Sequence, residues 1–178
     1  MKQKINYKWV IKVAALSFFV TIVFNLVSSV FGAAGYIVSF LLLLIFMAIG
    51  VVFDMIGIAV TSALPAPFHS MASHRERGAT EALYIIKNAE KTSSICNDIV
   101  SDIAGVVSGA LSVIIAARII SEPSVKNIIV QLVISGLVTA LTVGGKAIGK
   151  TIAINNSTKL VLAVGKVLSI KNGIRSKK

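Results

Sequence analysis

Long unbroken apolar runs constrain this 178-residue chain more than any other feature of its sequence. They cover residues 12–31, 36–62, 96–120 and 126–148. Each reaches the ~20 residues that carry a helix across a hydrocarbon core, and the second exceeds it. A surface helix of a soluble domain repeats its apolar residues every three or four positions and keeps a polar face. Here the apolar residues are pooled, with 56% of the chain hydrophobic and only 14% charged. A soluble domain carries about a quarter charged residues. A water-soluble core of this size could not hide so many apolar side chains, so lipid is the expected solvent for much of the surface. Backbone groups in hydrocarbon must be satisfied within their own segment, so each run is expected to be helical. The expected fold is an all-α membrane protein with four transmembrane helices and interfacial amphipathic helices on the cytoplasmic face.

The segments between the runs divide the chain further. Gly32-Ala33-Ala34-Gly35 predicts a short turn, so residues 1–35 form an extra N-terminal span and turn. That first run is too long for the apolar core of a signal peptide and is expected to be retained. Pro65 and Pro67 stop the second helix, since neither donates a backbone hydrogen bond. Residues 68–94 are polar, yet Ala79, Ala82, Leu83, Ile86 and Ala89 recur at helical spacing. That pattern predicts a short amphipathic helix lying at the membrane face. Residues 121–124 allow only a tight connection, residues 158–170 form a second amphipathic stretch, and residues 171–178 a basic tail. Residues 36–170 are thus the expected core domain.

Charge gives orientation and partners. Eighteen Lys and Arg stand against seven Asp and Glu, for a net charge of +11. These cations flank apolar runs, which points to topology and to anionic lipid headgroups rather than to nucleic acid. With the N-terminus inside, only Arg118 and Lys126 among the basic residues fall outside. The excess of cations on the other side predicts a multi-pass protein of the plasma membrane with both termini cytoplasmic. Cys96 is the one cysteine, which leaves no internal disulfide.

Several charges stand within the runs or at their cytoplasmic ends: Asp54, Asp98, Asp102, Lys146 and Lys150. A charge at bilayer depth costs ~2.5–3.5 kcal/mol on insertion scales. Such a group must face the bundle interior, pair, or reach water. Asp98 and Asp102 are four apart on one helical face, with Asn97 beside them. One reading is a cation or proton site built from Asp54, Asn97, Asp98 and Asp102, whose oxygens suit a hard ion such as Mg²⁺. The other pairs Asp54 with Lys146 or Lys150 purely for packing and makes Asp98 a helix cap favoured by the helix dipole. Gly105 and Gly109, and Gly145 and Gly149, are small residues at four-residue spacing, which lets helices approach closely in lipid. In the fourth run Gly144 and Gly145 together could also loosen the helix and free carbonyls near an ion. His69 and His74 lie in the polar loop without a cysteine or carboxylate cluster, so a solvated loop is the simpler account. No Gly-rich phosphate loop, Ser-His-Asp set or zinc spacing is present, and no enzyme is expected.

Two stretches carry a family resemblance. Phe53-Asp54-Met55-Ile56-Gly57-Ile58-Ala59-Val60-Thr61-Ser62, followed by His74-Arg75-Glu76-Arg77-Gly78-Ala79, resembles the transmembrane domain of the CNNM/CorC (CorB-like) magnesium transporters. Cys96-Asn97 falls where that family places a Gly-Asn pair, and residues 145–153 where it has G-E-x-x-P-K-x-x-A. The resemblance runs over residues 51–170 and implies a homodimer that moves a divalent cation, Mg²⁺ or Co²⁺. It implies Asp54, Asn97 and Asp102 as inward-facing ligands, with Asp98 at the entrance. The departures are specific. Gly57 stands for the motif glutamate of the second span, Lys146 for the glutamate of the last motif, and Gly149 for its proline, while Lys150 keeps the motif lysine. A lysine at a ligand position repels Mg²⁺ or acts as an internal counter-charge, for which Asp54 could compensate. Up to Lys178 the sequence holds none of the cystathionine-β-synthase-like modules that usually follow in the family. The alternative is a non-transporting membrane scaffold or interaction subunit with a structural Asp54–Lys146 pair.

Overall fold

The computed structural model describes residues 7–32, 35–120 and 128–175. Among these residues every regular element is helical and no strand occurs. The helices are α1 (Tyr7–Gly32), α2 (Tyr36–Ser62), α3 (Pro65–Ser73), α4 (Ala79–Lys87), α5 (Ala89–Ser94), a π-helical segment (Ile95–Ser101), α6 (Asp102–Ile120), α7 (Ile128–Asn155) and α8 (Ser157–Arg175). Four stretches are long and apolar enough to cross a membrane: Tyr7–Val30, Tyr36–Ser62, Ala89–Ile119 and Ile128–Asn155. Phe18, Phe19, Leu132 and Leu141 on two of them are each more than 60% exposed, as residues facing lipid would be.

The third and fourth runs differ from the sequence expectation at one end each. The third run starts at Ala89 rather than at residue 96, because its polar first turns remain helical. The fourth continues to Asn155, past the expected end at residue 148. At Pro65 the expected stop holds, with α2 ending at Ser62, and the same proline also opens α3. A first-turn proline loses no helical hydrogen bond, and its ring fixes a helical φ. Leu64 before it is extended (φ −82°, ψ 137°), as the proline ring requires. The expected turn at residues 33–34, the linker at residues 121–124 and the tail at residues 176–178 lie outside the described residues.

The chain divides into two compact units, and the division passes through α2 after Gly50, the π-helical segment after Asp98, and α7 after Gly144. In the first unit α1 packs against α6. Its core is Leu43 and Phe46 of α2 with Ile99, Ile103, Ala104, Val107 and Leu111. Phe24 tilts against Phe46 at 5.3 Å between ring centroids. Buried serines in this apolar setting donate one turn back along their own helix: Ser39 to Gly35 O at 3.0 Å, Ser108 to Gly105 O at 2.9 Å, Ser112 to Gly109 O at 2.7 Å. The Tyr36 hydroxyl donates to the Arg118 carbonyl at 3.0 Å, and the Arg118 guanidinium lies 5.9 Å from the Tyr36 ring centre.

In the second unit the two stretches expected to be amphipathic fall in α4 and α8. They pack on each other, and α4 also packs on α3. Their buried residues join Ala59, Val60 and Ala63 of α2, Phe68 of α3 and Ala153 of α7 around Ala82, Ile85 and Val161. The α4–α8 crossing is very close at Gly78 and Gly165. Gly78 precedes α4 in the left-handed region (φ +85°), which favours glycine. A Cβ on Gly165 would collide with the Gly78 carbonyl oxygen and come 3.1 Å from the Ala82 nitrogen. At the exposed rim Lys166 pairs with Glu76 at 3.5 Å and the Arg77 Nε donates to the Ser169 hydroxyl at 3.4 Å. Exposed contacts of this kind contribute about 0–1 kcal/mol, so the backbone fit carries the crossing. Gly165→Ala should therefore destabilise the protein by about 1–3 kcal/mol through overpacking. Gly105→Ala, whose Cβ meets open space, should instead be neutral or stabilising, by up to about 1 kcal/mol. Denaturation of both variants in detergent checks this, and equal stabilities would contradict the close crossing.

Candidate functional site

The π-helical segment Ile95–Ser101 interrupts the helix formed by α5 and α6, inside a stretch apolar enough to span a membrane. A π-turn inserts one residue into an α-helix and disturbs the local hydrogen-bond ladder, and such turns recur at functional sites. This one contains Asn97, Asp98 and Ser101.

Asn97 is held from both sides. Its amide nitrogen donates to the Ser93 hydroxyl at 3.2 Å, one turn back. That fixes the side chain with its oxygen, Oδ1, buried and without a hydrogen-bond partner among the described residues. Leaving a buried acceptor unsatisfied costs about 1–3 kcal/mol. The amide lies directly against Gly57 of α2: a Cβ there would overlap Oδ1 and come 2.6 Å from Cγ. Gly57 is thus the one residue type that lets the Asn97 amide sit where it does. Asp54 is three residues before Gly57, on the same side of α2, and is half-buried. The hydroxyl of Ser101 is also buried without a partner.

The remaining expected residues are placed as follows. Asp54, Asn97, Asp98, Lys146 and Lys150 belong to the second unit, and Asp102 to the first. Asp98 does not cap a helix start, because the helix began at Ala89, nine residues earlier. It is exposed and accepts a hydrogen bond from the Ser94 hydroxyl at 2.8 Å. Asp102 and Lys150 are exposed, and Lys146 is half-buried. Asp54, Asp102 and Lys146 are each engaged in a polar interaction. Among the described residues no three His, Cys, Asp or Glu side chains form a group that could hold a metal ion.

The two glycine pairs behave differently. Gly145 and Gly149 face α2: a Cβ on Gly145 would be 3.2 Å from Val51, and one on Gly149 2.8 Å from Met55 Cγ. Gly105 and Gly109 have nothing within 4 Å of an added Cβ. His69 is exposed on α3, and His74 ends that helix. Cys96 is buried and free.

The sequence analysis named Asn97 but missed the π-turn, Ser93, and the role of Gly57 as the space the amide needs. No family model, curated protein or solved structure matches the chain.

Gly57→Ala should destabilise the protein by about 1–3 kcal/mol by forcing the Asn97 amide aside. Adding Asn97→Ala should relieve part of that loss, with a coupling above ~0.5 kcal/mol in a double-mutant cycle. Strictly additive losses would show that the two residues do not meet.

Proposed function

We propose that the protein handles a divalent cation, Mg²⁺ or a close analogue such as Co²⁺, as a transporter or a divergent relative of one. The observation that carries this reading is the buried, unpartnered Asn97 oxygen in a π-turn against Gly57. A hard cation takes carbonyl and carboxylate oxygens, and Mg²⁺ keeps several of its waters, so it needs only one or two protein oxygens. A site for a passing hydrated ion therefore does not require three carboxylates in one cluster. In this reading Asn97 Oδ1 replaces one water of the cation, and Asp54 supplies the negative charge on the Gly57 side of α2. Exposed Asp98 is an entry point for cations. Lys146, where the CNNM/CorC resemblance expects a glutamate, is a counter-charge that competes with the cation for Asp54. The same resemblance implies a plasma-membrane homodimer with cytoplasmic termini.

A second reading is a non-transporting membrane interaction subunit. The lack of any three-ligand metal group among the described residues favours it.

Flux into proteoliposomes loaded with a Mg²⁺-sensitive dye separates the two. Under the transport reading the parent protein carries Mg²⁺, and Asp54→Ala abolishes the flux. Loss of one contact to a charged partner costs about 1.5–3 kcal/mol, so Asn97→Ala should weaken Mg²⁺ binding about tenfold or more in calorimetry. A parent protein that neither binds nor moves Mg²⁺ leaves the interaction subunit.

A further inference from the structure

The second unit contains two neighbouring hollows that the cation reading does not use, one almost wholly apolar and the other edged by a lysine and a histidine. One is a cavity of about 660 Å³ lined by Val52, Phe53 and Ile56 of α2, Cys96, and Val164 and Leu168 of α8, among others. Its lining is almost entirely apolar, the polar exceptions being Tyr84 and Thr92. The other is a cleft of about 420 Å³ bounded by Pro65 and His69 of α3 and by Leu83, Ile86 and Lys87 of α4. Tyr84, 71% exposed, lines both.

We propose that these hollows together bind one anionic phospholipid, with an acyl chain in the apolar cavity and the phosphate of the headgroup at Lys87 and His69.

The occupant follows from chemistry and from charge. A cavity lined by hydrocarbon does not hold water, and its size is that of a small-molecule site, typically about 300–1,000 Å³. Its walls include Val52, Phe53, Met55, Ile56 and Cys96, which lie in two of the stretches able to span a membrane, so the molecules at hand there are acyl chains. The adjoining cleft places an exposed lysine and an exposed histidine beside the exposed Tyr84. An aromatic hydroxyl with a cation next to it is the usual composition of a headgroup-level contact. A second copy of the chain is the competing occupant, and charge disfavours it. This unit carries twelve Lys and Arg against five Asp and Glu, so two such surfaces repel, whereas an anionic headgroup is attracted by about 1 kcal/mol for each nearby cation.

The test is native mass spectrometry of the full chain, delipidated in detergent and then given dioleoylphosphatidylglycerol or dioleoylphosphatidylcholine. The expected result is one phosphatidylglycerol retained per chain, in preference to phosphatidylcholine. Lys87→Gln, an exposed change that leaves the core untouched, should weaken phosphatidylglycerol about fivefold and leave phosphatidylcholine unchanged. Ala163→Trp, from an exposed cavity-lining position on α8, should fill the apolar cavity and remove both lipids at an unchanged melting temperature. Equal retention of the two lipids overturns the proposal, as does a Lys87→Gln protein with parental phosphatidylglycerol binding. A folded Ala163→Trp protein that still holds phosphatidylglycerol overturns it too. Conversion of a lipid-free parental dimer to a monomer by Ala163→Trp would assign the cavity to a second copy and overturn it as well.

Discussion

Hydrocarbon offers a polar atom no solvent partner, and that single constraint orders most of what this chain does. Helical backbone groups are met within their own segment, and so are many of the hydroxyls. Ser39, Ser108 and Ser112 are buried, and each donates to a carbonyl one turn earlier in its own segment. Thr21 and Thr142 do the same at 2.7 Å. These residues are polar in composition and apolar in effect, because their donors are consumed locally. Among the described residues the exceptions are Ser28, Ser101 and Asn97, and Asn97 is the only amide of the three. Its nitrogen is satisfied by Ser93 but its oxygen is not. A side chain that only needed to fill space there could have been a leucine at no polar cost.

Close approach in this protein depends on what faces a glycine, not on glycine spacing. Gly145 and Gly149 lie against Val51 and Met55, and Gly57 lies against an amide. Gly78 and Gly165 let two backbones nearly touch where α4 crosses α8, although eighty-six positions separate them in the chain. Gly105 and Gly109 share the four-residue spacing of the α7 pair and meet nothing within 4 Å. In lipid a small residue gains nothing from hydrophobic burial and contributes only by admitting a neighbour. A glycine with no neighbour in the chain therefore contributes no close approach, and in a helix it keeps its usual cost of about 0.5–1 kcal/mol relative to alanine.

The long helices were legible in the sequence because length and apolarity are local properties. Runs at residues 12–31 and 36–62 reappear as α1 and α2 with little change. The third run was misjudged at its start, because Glu90, Lys91 and three hydroxyl residues look like a loop in composition and yet continue a helix. Pro65 was read only as a stop, and it is also the start of α3, beyond the extended Leu64. The π-turn left no periodic signal: one inserted residue in seven positions, ICNDIVS, does not alter apolar spacing enough to be seen. Gly57 was noticed only as a missing glutamate. That its lack of a side chain makes room for Asn97 is a fact of two segments forty residues apart, which no single stretch of sequence contains.

The same constraint ranks the charges. Asp98 is exposed, tied to Ser94, and one turn from a polar stretch that reaches back to Glu90, so the route from its carboxylate to water or headgroups is short. Lys150 is exposed too, and a lysine can extend its four-carbon stem toward the interface. Asp54 has neither escape. It sits eight residues before the end of α2, roughly 12 Å along the axis at 1.5 Å per residue, among Val51, Val52, Phe53, Met55 and Ile56. Its side chain has one methylene and cannot snorkel that far. A half-buried carboxylate so placed must be met by a polar group, and Asp54 is engaged in a polar interaction. An ion-handling role for this chain thus rests on the half-buried Asp54 and on the Asn97 amide oxygen, which has no hydrogen-bond partner among the described residues.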